Sequence, residues 1–281
     1  MVLNYSWEVR FRGMVWGVAM MERGYEFLRC VREDFLAIVT IDRPPVNALS
    51  KQVLLELQEV FAAWAADREI RVVIVTGAGN KAFVAGADIG GLADLTPDTG
   101  KQLNRVFQST FNQIADFPRP VICAVNGLAF GGGCELALAC DLRVAARSAR
   151  FGLTEVNLGL IPGGGGTVRL PRIIPVGIAK ELIFSGRHIY ADEAEKIGLV
   201  NRVVPEGEVL DAAREIGRRI AGKGPVAVEQ VKKAINRGLD LPLSEAMDLE
   251  ADLSARCFGT ADFQEGVKAF FAKRPPNFNG R

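Results

Sequence analysis

The run Val121-Ile122-Cys123-Ala124-Val125-Asn126-Gly127-Leu128-Ala129-Phe130-Gly131-Gly132-Gly133-Cys134-Glu135-Leu136-Ala137-Leu138-Ala139-Cys140 decides what kind of fold this chain adopts. It is nearly all apolar and long enough to span a bilayer. Yet it holds Asn126, Glu135 and three consecutive glycines. A carboxylate at such depth in lipid is costly, so the run reads as a buried strand, a turn and a helix. The glycines hand over to good helix formers, which puts Glu135 in the first turn of that helix. Desolvation there raises a carboxyl pKa, which is how a protein obtains an acid or base working near neutrality. A helix-dipole partner or a buried ion pair fits this one segment equally well.

Outward from this run, β-rich stretches recur at Phe35 to Ile41, Arg71 to Thr76 and Leu142 to Ala145, with helical spacing at Gln52 to Ala66. That alternation predicts an α/β architecture. After about Val204 the sequence becomes charged and alanine-rich, and Asp211 to Ala221, Pro225 to Arg237 and Leu243 to Arg256 read as consecutive helices. Such helices bury their apolar faces on the main body or on another subunit, so an oligomer is expected. Three regions follow: residues 1–24, an aperiodic extension that is either a targeting segment or an upstream-start artefact; residues 25–205, the core; and residues 206–281, the helical region.

With 281 residues, 49% of them hydrophobic, the chain can bury a large core. Its 34 basic and 33 acidic residues leave a net charge of +1, which gives no reason to expect nucleic acid as the main partner. Five cysteines, without a CxxC pair, point to a reducing, cytoplasmic compartment and away from a metal site. His188 is the only histidine, and a surface or capping role suits it better than a Ser-His-Asp triad. Val75-Thr76-Gly77-Ala78-Gly79 hints at a dinucleotide turn, but position 82 is Ala where a third glycine is required. The Trp and Phe residues read as core.

A second isolated carboxyl, Glu155, lies in Phe151-Gly152-Leu153-Thr154-Glu155-Val156-Asn157-Leu158-Gly159-Leu160-Ile161-Pro162, just ahead of four glycines. Two titratable groups in apolar runs suggest an acid–base pair, although spacing alone cannot bring them together. Two backbone segments can supply paired N–H donors for an oxygen that gains negative charge: Lys81 to Ile89, with its small residues, and the triple glycine leading into a helix. Each is also explained as a tight turn with a cap.

In this order, Ile41-Asp42-Arg43-Pro44-Pro45-Val46-Asn47-Ala48-Leu49, Ala82-Phe83-Val84-Ala85-Gly86-Ala87-Asp88-Ile89, Asn126-Gly127 with Gly131 to Leu136, and Ile161-Pro162-Gly163-Gly164-Gly165-Gly166-Thr167 resemble the crotonase, or enoyl-CoA hydratase/isomerase, superfamily. The match runs from about Phe35 to the C-terminus. The resemblance implies an α/β spiral of β-β-α units with a C-terminal helical trimerisation region, and a homotrimer or a hexamer built as a dimer of trimers. It implies an oxyanion hole at the amides of Ala87 and Gly132, and a pair of hydratase carboxylates at Glu135 and Glu155. Coenzyme A would be cradled by the backbone around Ala48, Ala85, Asp88 and Ile89, with Lys81 and Lys273 near its phosphates. Gly90-Gly91 departs from relatives that carry lysine there.

The activity so implied is that of a lyase of fatty-acid metabolism and β-oxidation, hydrating trans-2-enoyl-CoA. No metal and no separate cofactor is expected, since coenzyme A is part of the substrate, and neither nucleic acid nor membrane is an expected partner. An enoyl-CoA isomerase is the alternative, and an RNA-binding relative a more distant one, with Lys232, Lys233 and Arg237 as its basic patch.

Overall fold

The computed structural model describes residues 18–20, 24–88, 90 and 94–281. The expected extension, residues 1–24, falls almost wholly outside them. Within it only strand β1, Val18–Met20, is a described element, paired antiparallel with β2, Leu28–Glu33.

Three apolar runs without alternation, Leu36–Ile41 (β3), Val72–Gly77 (β4) and Val121–Val125 (β6), form the centre of a seven-stranded sheet. Continuous apolar sequence is what parallel strands covered on both faces require. Leu142–Ala146 (β8) and Arg202–Val204 (β11) extend the sheet to the order β1-β2-β3-β4-β6-β8-β11, parallel from β3 onward. The strands expected from sequence coincide with β3, β4, β6 and β8 to within a residue or so.

A second sheet was not legible in the sequence. After β4, β6 and β8 the chain turns into Ala82–Ala85 (β5), Leu128–Phe130 (β7) and Arg150–Gly152 (β9), which pair in parallel, with Ile189–Tyr190 (β10) antiparallel on the edge. Helix α1 (Lys51–Ala66) precedes β4, α2 (Pro97–Ala115) follows β5 and α3 (Gly132–Ala139) follows β7. Strand-strand-helix units therefore succeed one another as a spiral. Asn126 ties two of its turns together, donating from Nδ2 to the carbonyls of Gly77 at 2.9 Å and Gly79 at 2.7 Å. A strand, not a helix, follows Gly77 to Gly79, so the dinucleotide turn is absent. Among the described residues no helix is long and apolar enough to cross a membrane, and the run 121–140 resolves into β6, β7 and α3.

Helix α1 starts at Ser50, whose side chain accepts from the Val53 amide, and it buries Val53, Leu54, Leu57, Val60, Phe61 and Trp64. Its buried Glu56 is satisfied by the amides of Glu26 and Phe27 at 3.1 and 3.0 Å. Helices α4 (Gly166–Ile173), α5 (Val176–Ser185) and α6 (Ala191–Lys196) lead to β11. Helix α7 (Val209–Ala221) lies on the large sheet, packing Val209, Ala212 and Ala213 near Leu36, Ile38, Val72 and Ile122. Helices α8 (Pro225–Gly238), α9 (Leu243–Phe258) and α10 (Ala261–Phe271) complete the chain. Trp64, Phe61 and Phe111 are core, but Phe270 and Phe271 are 79% and 78% exposed, because no other described residue covers that face of α10.

Helix α8 is fastened to the core by Lys232, whose buried ammonium donates to Asp141 Oδ2 at 2.7 Å and to the Arg119 carbonyl at 3.1 Å. The same Asp141 oxygen accepts the Val121 amide at 2.7 Å. Burial pushes the Asp141 carboxyl up, and Lys232 opposes that shift. Lys232→Met should therefore strand a desolvated carboxylate and cost about 3 kcal/mol. Urea unfolding is the check: the double variant Lys232→Met, Asp141→Asn should recover part of the loss, and a single-variant effect below about 0.5 kcal/mol would refute the pairing.

Candidate active site

The three parallel strands of the small sheet end level with one another. Ala85 on β5 faces Phe130 on β7, and Phe130 faces Gly152 on β9. Neighbouring strands lie about 4.8 Å apart, so the residues just beyond those ends, Gly86 and Ala87, Gly131 and Gly132, and Leu153 to Glu155, emerge from one edge. Carboxyl ends of parallel strands are where α/β sheets place ligands.

Leu49 and Ala87 form a parallel bridge in which the Leu49 amide donates to the Gly86 carbonyl at 3.0 Å and the Leu49 carbonyl accepts from the Asp88 amide at 2.8 Å. Leu49 thus uses the neighbours of Ala87, and the Ala87 N–H points the other way. Gly132 lies on that side: a Cβ there would be 3.8 Å from the Ala87 nitrogen, 3.2 Å from the Phe107 ring and 3.4 Å from Leu49 Cδ1. Gly132 is also the first residue of α3, whose first intrahelical bond runs from the Glu135 amide to the Gly131 carbonyl at 3.0 Å, so its own N–H has no helical acceptor. Two amides thus share an apolar wall, where such donors act more strongly than in water. Gly133 makes this approach possible. A Cβ at that position would fall 2.0 Å from the Val84 carbonyl oxygen, so α3 rests directly on β5.

Glu135, 3% exposed, sits one turn into α3. Its Oε1 accepts the amides of Gly164 and Gly166, each at 2.8 Å. A side chain at Gly164 would meet Glu135 Oε2 at 2.6 Å, which explains why glycine occupies that position. Burial raises the Glu135 pKa, and the Gly166 and Gly164 amides and the Arg169 charge pull it back. Glu155 opens a 3-10 turn, Glu155–Leu158, with its carboxylate over the start of α3: Oε1 is 3.1 Å from where a Cβ on Gly131 would be. Its Oε2 is buried without a hydrogen-bond partner among the described residues. Burial, helped by the charge of Glu135, pushes the Glu155 carboxyl up to about 7. Two carboxyls separated by 20 positions therefore lie within electrostatic reach, one held by two main-chain donors on one oxygen and the other with an oxygen left unpartnered among the described residues.

Ala48, Ala85 and Asp88 adjoin this edge. The Ala85 amide donates to the Val46 carbonyl at 3.0 Å, and Arg43 bonds both the Ala48 carbonyl at 3.2 Å and Asp88 Oδ2 at 2.5 Å. The Gly90 amide and Arg43 hold the Asp88 carboxyl below its usual range. Arg43 carried no role in the sequence reading, because its partner lies 45 positions away. Ile89 lies outside the described residues. Lys81 is exposed at the start of β5, the end remote from Ala87, and Lys273 follows α10, so neither is brought to the carboxyl pair. His188 is exposed and stacks obliquely on Phe130, away from any triad.

An enoyl-CoA hydratase/isomerase family model matches residues 32–281. A crotonyl-CoA hydratase of Syntrophomonas wolfei is 45% identical over 90% of this chain and 98% of its own length. A short-chain-enoyl-CoA hydratase of Clostridium acetobutylicum is 44% identical over 86% of this chain and 94% of its own. The crystal structure of an enoyl-CoA hydratase from Bacillus anthracis superposes with a TM-score of 0.89 at 41% identity, covering 91% of this chain and 100% of that one. With its spiral of β-β-α units and its paired carboxyls at the edge of the small sheet, the chain belongs to the enoyl-CoA hydratase/isomerase family.

Proposed function

We propose that the chain is a hydro-lyase that adds water to trans-2-enoyl-CoA to give 3-hydroxyacyl-CoA, within fatty-acid β-oxidation or an allied route. The observation that carries this is the unequal treatment of the two glutamates. Two amides on Glu135 Oε1 favour its ionised form, whereas Glu155, with one oxygen unpartnered among the described residues, keeps a proton to about neutrality. A base and an acid thus stand side by side. The names of the relatives support short 2-enoyl chains as substrates.

In the mechanism, the amides of Ala87 and Gly132 form the oxyanion hole that holds the thioester carbonyl. Glu135 takes a proton from water as the water oxygen bonds to the β-carbon. The electron pair of the double bond moves into the enolate, and Glu155 delivers its proton to the α-carbon. Glu135 thereby gains a proton from water as Glu155 loses one to the product, and the pair as a whole carries one proton before and after turnover. An isomerase needs a single carboxyl to shuttle its proton, so two favour hydration. Incubation with 2-enoyl and 3-enoyl thioesters separates the two activities.

Backbone around Ala48, Ala85, Asp88 and Ile89 would cradle the pantetheine, with Lys81 and Lys273 toward the phosphates. The exposed Val231, Ile235 and Leu239 of α8, with Phe270 and Phe271 of α10, support burial in a homotrimer or hexamer. Five free cysteines support a reducing, cytoplasmic setting. Lys232, counted in the basic patch of the RNA-binding alternative, is buried against Asp141, and the patch loses it.

Glu135→Gln and Glu155→Gln should each slow crotonyl-CoA hydration by about 10²- to 10⁴-fold while still binding ligand. Two fully active variants would end the assignment. Because the active pair holds one proton and Glu155 releases it near 7, kcat/KM should fall as pH rises through about 7. A profile flat from pH 6 to 9 would contradict that protonation state.

A further inference from the structure

The glycine loop that holds Glu135 is itself held from behind. On α2, Asn104, Gln108 and Asn112 recur at every fourth position and share one face. A Cβ on Gly163 would fall 2.4 Å from the Asn104 side chain, and Gln108 Nε2 donates to the Gly163 carbonyl at 2.8 Å. Asn112 Oδ1 accepts from Arg169 Nη2 at 2.5 Å, and Arg169 Nη1 donates to the Gly164 carbonyl at 3.0 Å. The gripped loop presents its amides to the carboxylate. The Gly163–Gly164 unit takes Gln108 on its oxygen and gives its N–H to Glu135 Oε1 at 2.8 Å. The Gly164 carbonyl in turn takes the Arg169 guanidinium, so the residue whose amide bonds Glu135 is held at both its oxygen and its nitrogen. A peptide polarised at its oxygen is a stronger donor at its nitrogen.

We infer that Arg169, anchored by Asn112, is a positioning residue for hydration: by gripping the Gly164 carbonyl it holds the glycine loop whose amides bond Glu135, and so aims that carboxylate, without touching substrate. This rests on the hydratase reading above. Arg169 and the neighbouring Glu155 act on Glu135 with opposite sign, the cation lowering its proton affinity. Cys134, the adjacent residue on α3, is pushed up to about 12 by burial and adds no charge. Arg169 in turn is faced by Asp116 at the end of α2 and by Cys140 beyond α3. Nothing in the sequence pointed to this residue, since its effect passes through main-chain atoms.

The experiment is a pH profile of crotonyl-CoA hydration for wild type, Arg169→Gln, Arg169→Lys and Asn112→Ala, with melting curves. Loss of the guanidinium should raise the proton affinity of Glu135. The acid limb of kcat/KM should then move to higher pH in Arg169→Gln, kcat should fall about 10- to 100-fold and KM should stay within about twofold. Arg169→Lys, which keeps the charge, should restore the limb and part of kcat. Asn112→Ala, at an exposed helix position, should shift the limb in the same direction by less, and it carries the test if Arg169→Gln does not fold. A limb unmoved in every folded variant, a loss confined to KM, or a lysine variant no better than glutamine overturns the inference. Wild type inactive on every enoyl-CoA would instead defeat the hydratase reading. In that case the ¹³C titration of the Glu135 carboxyl, compared between wild type and Asn112→Ala, still decides whether the clamp acts.

Discussion

The level ending of three short strands, with Ala85 opposite Phe130 and Phe130 opposite Gly152, is the constraint on which the site depends. A slip of one residue between any two strands would turn every side chain of the shifted strand to the other face and carry its terminal loop about 3.3 Å along. Ala87 would then no longer face Gly132, and Glu155 would leave the start of α3. The register is fixed from both sides. Gly133 lets α3 lie against the Val84 carbonyl, and Asn126 fastens the turn before β7 to the turn before β5.

Two identical side chains end in unlike surroundings. Glu135 is the more deeply buried, yet it is the better solvated, because peptide dipoles replace the water it has lost. Glu155 is less enclosed, and one of its oxygens has no donor among the described residues. Burial raises the proton affinity of both. What separates them is the number of N–H groups aimed at each, a property of the chain between β9 and α4 rather than of the glutamates.

Much of this was legible in the sequence, and the limits were physical. The central strands declare themselves through unbroken apolar runs such as Val72–Gly77, and the helices after Val204 through charged, alanine-rich stretches divided by glycine or proline. The small sheet did not, since β5, β7 and β9 span only three or four residues and no period can be counted in them. Glu135 and Glu155 stood out as lone charges in apolar sequence. Arg43 and Arg169, ordinary surface-type residues by sequence, were invisible because their partners, Asp88 and the Gly164 carbonyl, are chosen by the fold.

The direct contact of α3 with β5 has one more consequence. Both donor amides belong to segments locked into the main hydrophobic cluster, with Val84, Leu49 and Leu136 wholly enclosed around them. Sub-global opening, the cheap fluctuation that frays loops and termini, cannot loosen these amides without breaching that cluster. Loss of the native spacing between the Ala87 and Gly132 amides should therefore coincide with cooperative melting, and no partly unfolded species would retain it.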